Sequence, residues 1–263
     1  MSLFDVGAGS PGASAGELAS PPLSLLEAQS VTLRAGAAPT SLSLRPGQLL
    51  GLAGLEGQGQ EAFLETLAGW RRPHSGRVIG PRGAELRHLR DAAAQGVAYL
   101  PRDRRASGIF PTLSIMDNFA MATLGQDVRL GWISHKARRQ RYEQMQQRLD
   151  IVARDAELPI TALSGGNQQK VLLARLLALA PRVLLLNDPT RGVDVATRQL
   201  LYRVLGELAA QGMSLVILST EVDEVCALCE EVLVFREGSV SAHLQGADTQ
   251  VEAVMAAMFG RKA

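Results

Sequence analysis

Leu163-Ser164-Gly165-Gly166-Asn167-Gln168-Gln169-Lys170, followed by the apolar run Val183-Leu184-Leu185-Leu186 and then Asn187-Asp188-Pro189-Thr190, decides how this chain folds. Ser164 is a natural cap, and Gly165 and Gly166 open a helix with bare backbone N–H groups at its positive end. Such an end is suited to meet phosphate. The four-residue apolar run is short, continuous and bounded by polar residues. That is the pattern of a parallel strand buried on both faces.

A second strand–loop–helix lies upstream. Leu49-Leu50-Gly51-Leu52-Ala53 reads as an apolar strand that runs into Gly54-Leu55-Glu56-Gly57-Gln58-Gly59, after which Phe63, Leu64 and Leu67 mark one face of a helix. Strand, glycine-rich loop and helix in that order form a phosphate cradle. Two or three short strands are expected between Leu25 and Leu52, with turns at Ala35-Gly36 and Arg45-Pro46-Gly47. Further strands are expected at Val97–Leu100, Val183–Leu186, Leu215–Leu218 and Val232–Phe235, the last turning at Arg236-Glu237-Gly238 into Ser239–Ala242. Helices are expected at 195–211, at Ser134 to about Asp150 and from near Asp248, and residues 103–180 read as mostly helical. The sum is an α/β fold with a mainly parallel core sheet, an antiparallel β portion and an inserted helical subdomain at about 103–180.

Composition sets bounds on function. The chain has 263 residues, 46% hydrophobic and 20% charged, with a net charge of +1. It is long enough for one large domain with a subdomain at 23–263, and it reads as soluble and globular. Near-neutral charge gives no pull toward nucleic acid or anionic lipid. No apolar run reaches the roughly 18 residues of a membrane span. Residues 1–22 are rich in Gly, Ala, Ser and Pro and read as a disordered tail or linker without a secretory leader. The 2 cysteines and the nucleotide-type fold point to the cytoplasm.

The Leu-Ser-Gly-Gly-x-Gln-Gln run followed by a strand and an acidic-Pro-Thr turn resembles the ATP-binding-cassette (ABC) ATPases, with a P-loop NTPase-type fold. Leu163–Lys170, Pro189-Thr190-Arg191-Gly192-Val193-Asp194, the Gly54–Gly59 loop without lysine, and Asp103-Arg104-Arg105 after Leu100 narrow the resemblance. Together they are similar to the C-terminal, degenerate cassette of bacterial monosaccharide importer ATPases of the ribose, xylose, galactose and arabinose type, over about residues 23–260. Nucleoside importer cassettes share much of this. In that family two cassettes share one chain, so a piece of a longer protein is expected.

The resemblance implies ATP and Mg2+ as ligands, both bound weakly here. In the family's phosphate loop a lysine meets the β- and γ-phosphates and a hydroxyl meets magnesium. Within Gly54, Gly57, Gly59, Gln60, Glu61 and Ala62, Gln60 stands at the lysine position and Glu61 at the hydroxyl position. A unit charge about 4 Å from phosphate, at an effective dielectric near 20, contributes about 4 kcal/mol before desolvation. After the Val183–Leu186 strand the family has Asp-Glu, for magnesium and for the attacking water. Here Asn187 is neutral and Asp188, the weak catalytic candidate, is one methylene shorter. Thr220 replaces the switch histidine, Arg102 replaces the family's Glu, and no aromatic residue between Phe4 and Phe63 can stack adenine. No strong metal site remains. The signature Ser164, Gly165, Gly166, Asn167 and Gln168 is intact, and Asp194 belongs to the loop that crosses to a partner.

The resemblance therefore implies a cassette that pairs head to tail with a second cassette, docks on membrane permease subunits at the inner face of the plasma membrane, and acts indirectly with a periplasmic sugar-binding protein. Nucleic acid is not an expected partner. An ordinary cassette that hydrolyses ATP at Asp188 and a nucleoside importer cassette are the alternatives. Cys226 and Cys229, the scattered His74, His88, His135 and His243, and the packing residues Trp70 and Trp132 carry no expected chemistry. Lys136, Arg138, Arg139 and Arg141 are expected on a solvated helix face.

Overall fold

The computed structural model describes residues 24–129 and 132–261, and the side chains of Arg129 and Trp132 are outside that description. The expected tail at 1–22 also lies outside the described residues.

Two sheets form the scaffold. Strands β1 (Leu26–Thr32), β2 (Thr40–Leu44) and β4 (Ser75–Ile79) make an antiparallel sheet in the order β2-β1-β4. The larger sheet contains β3 (Leu49–Gly54), β5 (Val97–Leu100), β8 (Val183–Asn187), β9 (Ser214–Leu218), β10 (Glu231–Arg236) and β11 (Ser239–Gln245), in the order β11-β10-β3-β9-β8-β5. Its strands are parallel except for the β10–β11 hairpin. Strands β6 (Val128–Arg129) and β7 (Trp132–Ile133) form a small separate hairpin.

Every residue of β8 and β9 is buried, as continuous apolar strands between two helical layers require. Alternate side chains enter two different cores. Leu184, Leu186, Leu215 and Ile217 pack with α3 (Ile115–Ala120), α6 (Gly165–Leu177), α7 (Val195–Ala210) and α8 (Val222–Leu228). Leu185, Val216, Leu218 and Phe235 pack with α1 (Gln60–Leu67) and the antiparallel sheet. Helix α9 (Val251–Met258) closes the β10 side of the first core after a 3-10 turn at Gly246–Asp248.

Between β5 and β8 the chain runs through one π-helical turn (Arg104–Gly108), α3, α4 (Leu124–Asp127), the small hairpin, α5 (His135–Arg148) and α6. Helix α5 starts at the predicted cap, Ser134, whose Oγ accepts from Ala137 N at 3.3 Å. Its basic run is only half a solvated face: Lys136 and Arg139 are exposed as expected, whereas Arg138 and Arg141 turn inward. Arg138 is buried and its Nε donates to Asp127 Oδ2 at 3.2 Å, Arg138 Nη1 donates to Asp117, and Arg141 also donates to Asp127, which is fully buried. The helix is amphipathic through ion pairs, a pattern that apolar periodicity does not reveal. Strand β4 and helix α2 (Leu89–Ala94) also escaped the sequence reading. The first buries only Val78 well, and the second is a short helix secured by Asp91 accepting from the backbone of Arg87 and His88. Trp70 is not a core residue: it is 52% exposed, with its ring 5.9 Å from that of Tyr99.

Helix α1 is set on the sheet by Phe63, Leu64 and Leu67, all fully buried, with the Phe63 ring 5.2 Å from that of Phe235. Phe63→Ala is therefore expected to cost about 3–5 kcal/mol. Urea denaturation of the two proteins measures it, and a loss below about 1 kcal/mol would show that α1 is not anchored through this ring.

Candidate functional site

The parallel strands β3, β5, β8 and β9 deliver their C-terminal ends to one edge of the sheet, the usual place for ligands in such folds. Gly54 closes β3, Pro101-Arg102 follows β5, Asn187-Asp188 ends β8, and Ser219-Thr220 follows β9. Cross-strand register fixes their height: Leu52 is opposite Leu218, and Asn187 is opposite Leu218 on the other side. Asp188 N donates to Leu218 O at 2.7 Å, and Asp188 itself has a left-handed backbone at φ +49°.

The glycine-rich loop has the turn expected of it. Gly59 caps α1 at φ +115°, and a Cβ there would lie 2.9 Å from Gly238 Cα, so only glycine fits. The loop is filled by its own chain. Gln60 is 7% exposed, and its Nε2 donates to Gly54 O at 3.0 Å and Leu55 O at 2.8 Å. Gly54 lies tight against the Gln60 amide, 2.8 Å from Oε1 to an ideal Cβ position. Gln60 Oε1 has no partner. Ala62 sits in the first turn of α1, half-buried, and its carbonyl accepts from Thr66 Oγ1. Gly57 is exposed at the loop's tip.

The charged positions join in a network. Asn187, 1% exposed, donates from Nδ2 to Glu61 Oε1 at 2.9 Å, while its Oδ1 is unpartnered. Arg102 Nε lies 2.9 Å from Asp188 Oδ2, and Arg102 Nη1 lies 4.0 Å from Glu61 Oε2. Asp188 Oδ1 accepts from Thr220 N at 2.7 Å and Thr220 Oγ1 at 3.2 Å. Asp188 and Thr220 are thus brought together, with both carboxylate oxygens of Asp188 engaged. The space left among Gly54, Gln60, Glu61, Arg102, Asn187 and Asp188 is about 100 Å³. Pockets for drug-sized ligands span roughly 300–1,000 Å³. That space is smaller, and Gln60, Glu61, Arg102, Asn187 and Asp188 line it.

The signature segment is built differently. Ser164 is exposed and caps α6, accepting from Asn167 N at 3.4 Å. Asn167 Oδ1 accepts from Val152 N at 2.8 Å, and Gln168 Nε2 donates inward to Leu163 O at 3.1 Å. Both side chains therefore hold the segment in place within the chain. Gly166 is buried against α7, where a Cβ would meet Thr197 Oγ1 at 3.3 Å and Asp194 Oδ2 at 3.4 Å. Asp194 caps α7 by accepting from Thr197 N and Thr197 Oγ1, and those hydrogen bonds hold its carboxyl below the usual aspartate range. The outward parts of the segment are Ser164 and the half-buried Gly165, in front of which lies the Arg104 guanidinium, bonded to Arg191 O at 2.8 Å. The phosphate loop and the signature helix are assembled as two separate places on the molecule, sharing no residue.

One buried group has no signal in the sequence. Glu224, 2% exposed on α8, accepts from Thr190 Oγ1 at 2.8 Å and from Ser219 Oγ at 2.5 Å, directly behind Asp188 and Thr220. Burial pushes its carboxyl above the ordinary glutamate value despite those hydroxyls. Only the placement of three distant segments makes it visible. Cys229 is buried with its thiol pushed up by burial, and Cys226 is half-buried.

A parallel sheet with a glycine loop on one strand, an acidic turn on another and a serine-capped Gly-Gly helix beyond them defines a nucleotide-binding cassette. The chain belongs to the ABC transporter family, which matches residues 38–191. Among curated relatives, the ribose import ATP-binding protein 1 of Rhizobium johnstonii is 40% identical over 79% of this chain and 41% of its own length. That of Chromobacterium violaceum is 40% identical over 82% and 43%. The chain thus spans less than half the length of these relatives. Among solved structures, a dimeric ATP-binding cassette bound to ADP and phosphate superposes with a TM-score of 0.71 at 22% identity, covering 84% of this chain and 98% of that one. A nucleotide-free cassette gives 0.74 at 16% identity over 89% and 95%. These share the fold. ABC cassettes as a family bind ATP with Mg2+.

The raised Glu224 carboxyl has a stability consequence. A carboxyl whose folded pKa is raised favours folding below its unfolded pKa, and that contribution is lost as pH rises through the folded value. Glu224→Gln keeps an acceptor for Thr190 without the charge. The melting temperature of the variant minus that of the parent should therefore be larger at about pH 8 than at about pH 4. A difference that does not change with pH would show that Glu224 is not the strained group.

Proposed function

We propose that this chain is the degenerate nucleotide-binding cassette of a bacterial ABC sugar importer, one that acts mainly by completing the site of a second cassette. In this reading it lies in the cytoplasm on the inner face of the membrane and docks on permease subunits. A periplasmic sugar-binding protein delivers the solute. Ribose-type sugars are the substrate class, from the names of the relatives. Among the described residues no helix is long and apolar enough to cross a membrane.

One observation carries the reading: Gln60 and the Arg102–Glu61–Asn187–Asp188 set fill the chain's own phosphate loop, while the capped end of α6 exposes Ser164 and has a cation, the Arg104 guanidinium, in front of Gly165. ATP and Mg2+ would bind weakly in the first place, because the lysine, the hydroxyl and the metal-binding Asp are absent. At the second, backbone N–H groups and the dipole of the 13-residue helix α6 would face a phosphate held by the partner. Asp188 is a poor base here, since an ion pair and two hydrogen bonds engage its oxygens.

Two measurements test this. Calorimetry on the isolated chain should give Mg-ATP binding weaker than about 10 µM, and tight binding would remove the degenerate-site reading. In the assembled transporter, Ser164→Tyr should abolish ATP turnover, whereas Asp188→Asn should lower it no more than a few fold. Ser164 is the better position than Gly166, because a side chain at 166 would first strike Asp194 and Thr197 of its own chain. Loss of the cap costs about 1 kcal/mol, so the isolated variant should stay folded. A larger loss from Asp188→Asn than from Ser164→Tyr would show that this cassette hydrolyses ATP in its own site.

A further inference from the structure

We propose that Arg102 is a resident cation of the phosphate-loop site: its guanidinium does permanently what a divalent ion would otherwise do, and it ties the segment after β5 to the sheet without nucleotide. The inference stands on the geometry of this chain's own site and does not need the reading of α6 as a partner's complement.

Two carboxylates converge here from distant parts of the chain, Glu61 on α1 and Asp188 after β8. Asp188 is 4% exposed, so its charge cannot be left to water. Arg102 is the only Lys or Arg that forms an ion pair with either of them among the described residues, at 2.9 Å from Asp188 and 4.0 Å from Glu61. Asn187 supplies a neutral donor to Glu61, whose side chain is 44% exposed, whereas Asp188 is buried and its Oδ2 faces the guanidinium alone.

What surrounds Arg102 is a set of oxygen donors. Besides the two carboxylates, Asn187 Oδ1 and Gln60 Oε1 are unpartnered acceptors on side chains 1% and 7% exposed. Both residues line the same cavity of about 100 Å³ as Arg102, Glu61 and Asp188. Carboxylate and amide oxygens with room for a few waters are the ligand chemistry of a hard divalent cation. With Arg102 present the carboxylates and guanidinium sum to one negative charge. Without it they sum to two, and the oxygen donors face an empty centre.

The position of Arg102 in the chain gives this consequence beyond the site. It is two residues from Arg104, where the π-turn begins and the excursion through α3, α5 and α6 starts. A tie from Arg102 to α1 and β8 therefore fixes the entry to that excursion. In a site balanced by a bound cation and phosphate, the entry would be fixed only when the ligand is present. Here the fixing group is covalently part of the chain.

The test is thermal melting and hydrogen exchange of the whole chain, with CaCl2 and MgCl2 alone as probes and no nucleotide. The parent should shift by less than about 1 °C on adding 5 mM of either salt, and exchange across Arg104–Gly108 should not change. Arg102→Ala should melt at least about 5 °C lower, as expected when a buried charge loses its partner, and should recover half or more of that loss in 5 mM divalent salt. Exchange at Arg104–Gly108 should become metal-dependent in the variant. Arg102→Lys, which keeps a point charge, should show a smaller drop and little metal response. Adding Glu61→Gln to Arg102→Ala should abolish the metal response. An equal response of parent and Arg102→Ala to divalent ions, or an Arg102→Ala protein that melts like the parent, would overturn the proposal. If Arg102→Ala does not fold, the Lys variant and the parent still decide: a parent stabilised by several degrees in divalent salt overturns it. Turnover of the assembled transporter is a separate readout, so failure here leaves the complementing role of α6 untouched.

Discussion

The buried parallel ladder of β3, β9 and β8 is the constraint on which the rest depends. Its strands have no polar face, so a shift in register would carry apolar side chains between two unlike cores and detach backbone groups that have no water to meet. That penalty fixes the relative height of Gly54, Asn187 and Ser219 at the sheet edge to the length of a hydrogen bond. Helix α1 then adopts its position because Phe63, Leu64 and Leu67 have one place to go, and Gln60 and Glu61 follow from its first turn. The site's geometry is thus held by apolar residues that take no part in its chemistry.

This separation of scaffold from chemistry explains how one chain can contain two helix N-termini of opposite character. Helix α1 begins after Gly59 and α6 begins on Gly165-Gly166 after Ser164. At α1 the chain supplies its own occupants: an amide that takes up the loop carbonyls and an arginine between two carboxylates. At α6 the first turn is capped by Ser164 and the side chains of Asn167 and Gln168 are spent on holding the segment, so no acidic group of the chain covers the front. The guanidinium of Arg104 adds positive charge there, and burial and neighbouring Arg105 and Arg191 make that charge less favourable in isolation. A phosphate brought by another molecule would meet no competitor at α6 and several at α1.

Much of this was legible before any coordinates. Short apolar runs, glycine turns and the Ser-Gly-Gly cap located β3, β5, β8, β9, β10, α5, α6 and α7 within a few residues, because each has strong local determinants. The replacements at 60, 61, 187 and 220 could be listed from the sequence. What could not be read was their mutual contact, since Arg102, Glu61 and Asp188 are far apart in the chain and meet only through the sheet. The same limit hid Glu224, and it made Arg138 and Arg141 look like solvent-facing charges although Asp127 draws them inward. Weakly patterned elements such as β4 and α2 failed for a simpler reason: each has only one well-buried residue, too little for a period to show.

The contacts among the replaced residues also argue that they are one change rather than several. Asn187 can donate to Glu61 because it is an amide. An Asp at 187 would place a third carboxylate beside Glu61 and Asp188 with one arginine to balance them. A lysine at 60 would have to enter space now held by an amide bonded to two carbonyls, with Arg102 the nearest neighbour cation at the site. Each residue is thus acceptable because the others are present, and residues in direct contact do not contribute additively. Restoring a single family residue would meet either an unpaired charge or a like one. Only an exchange of the set, Lys-Ser-Thr at 60–62 together with Asp-Glu at 187–188 and a neutral residue at 102, would replace this network by another balanced set of charges. The unit that any exchange at this edge of the sheet must treat together is accordingly the closed charge network, and no member of it alone.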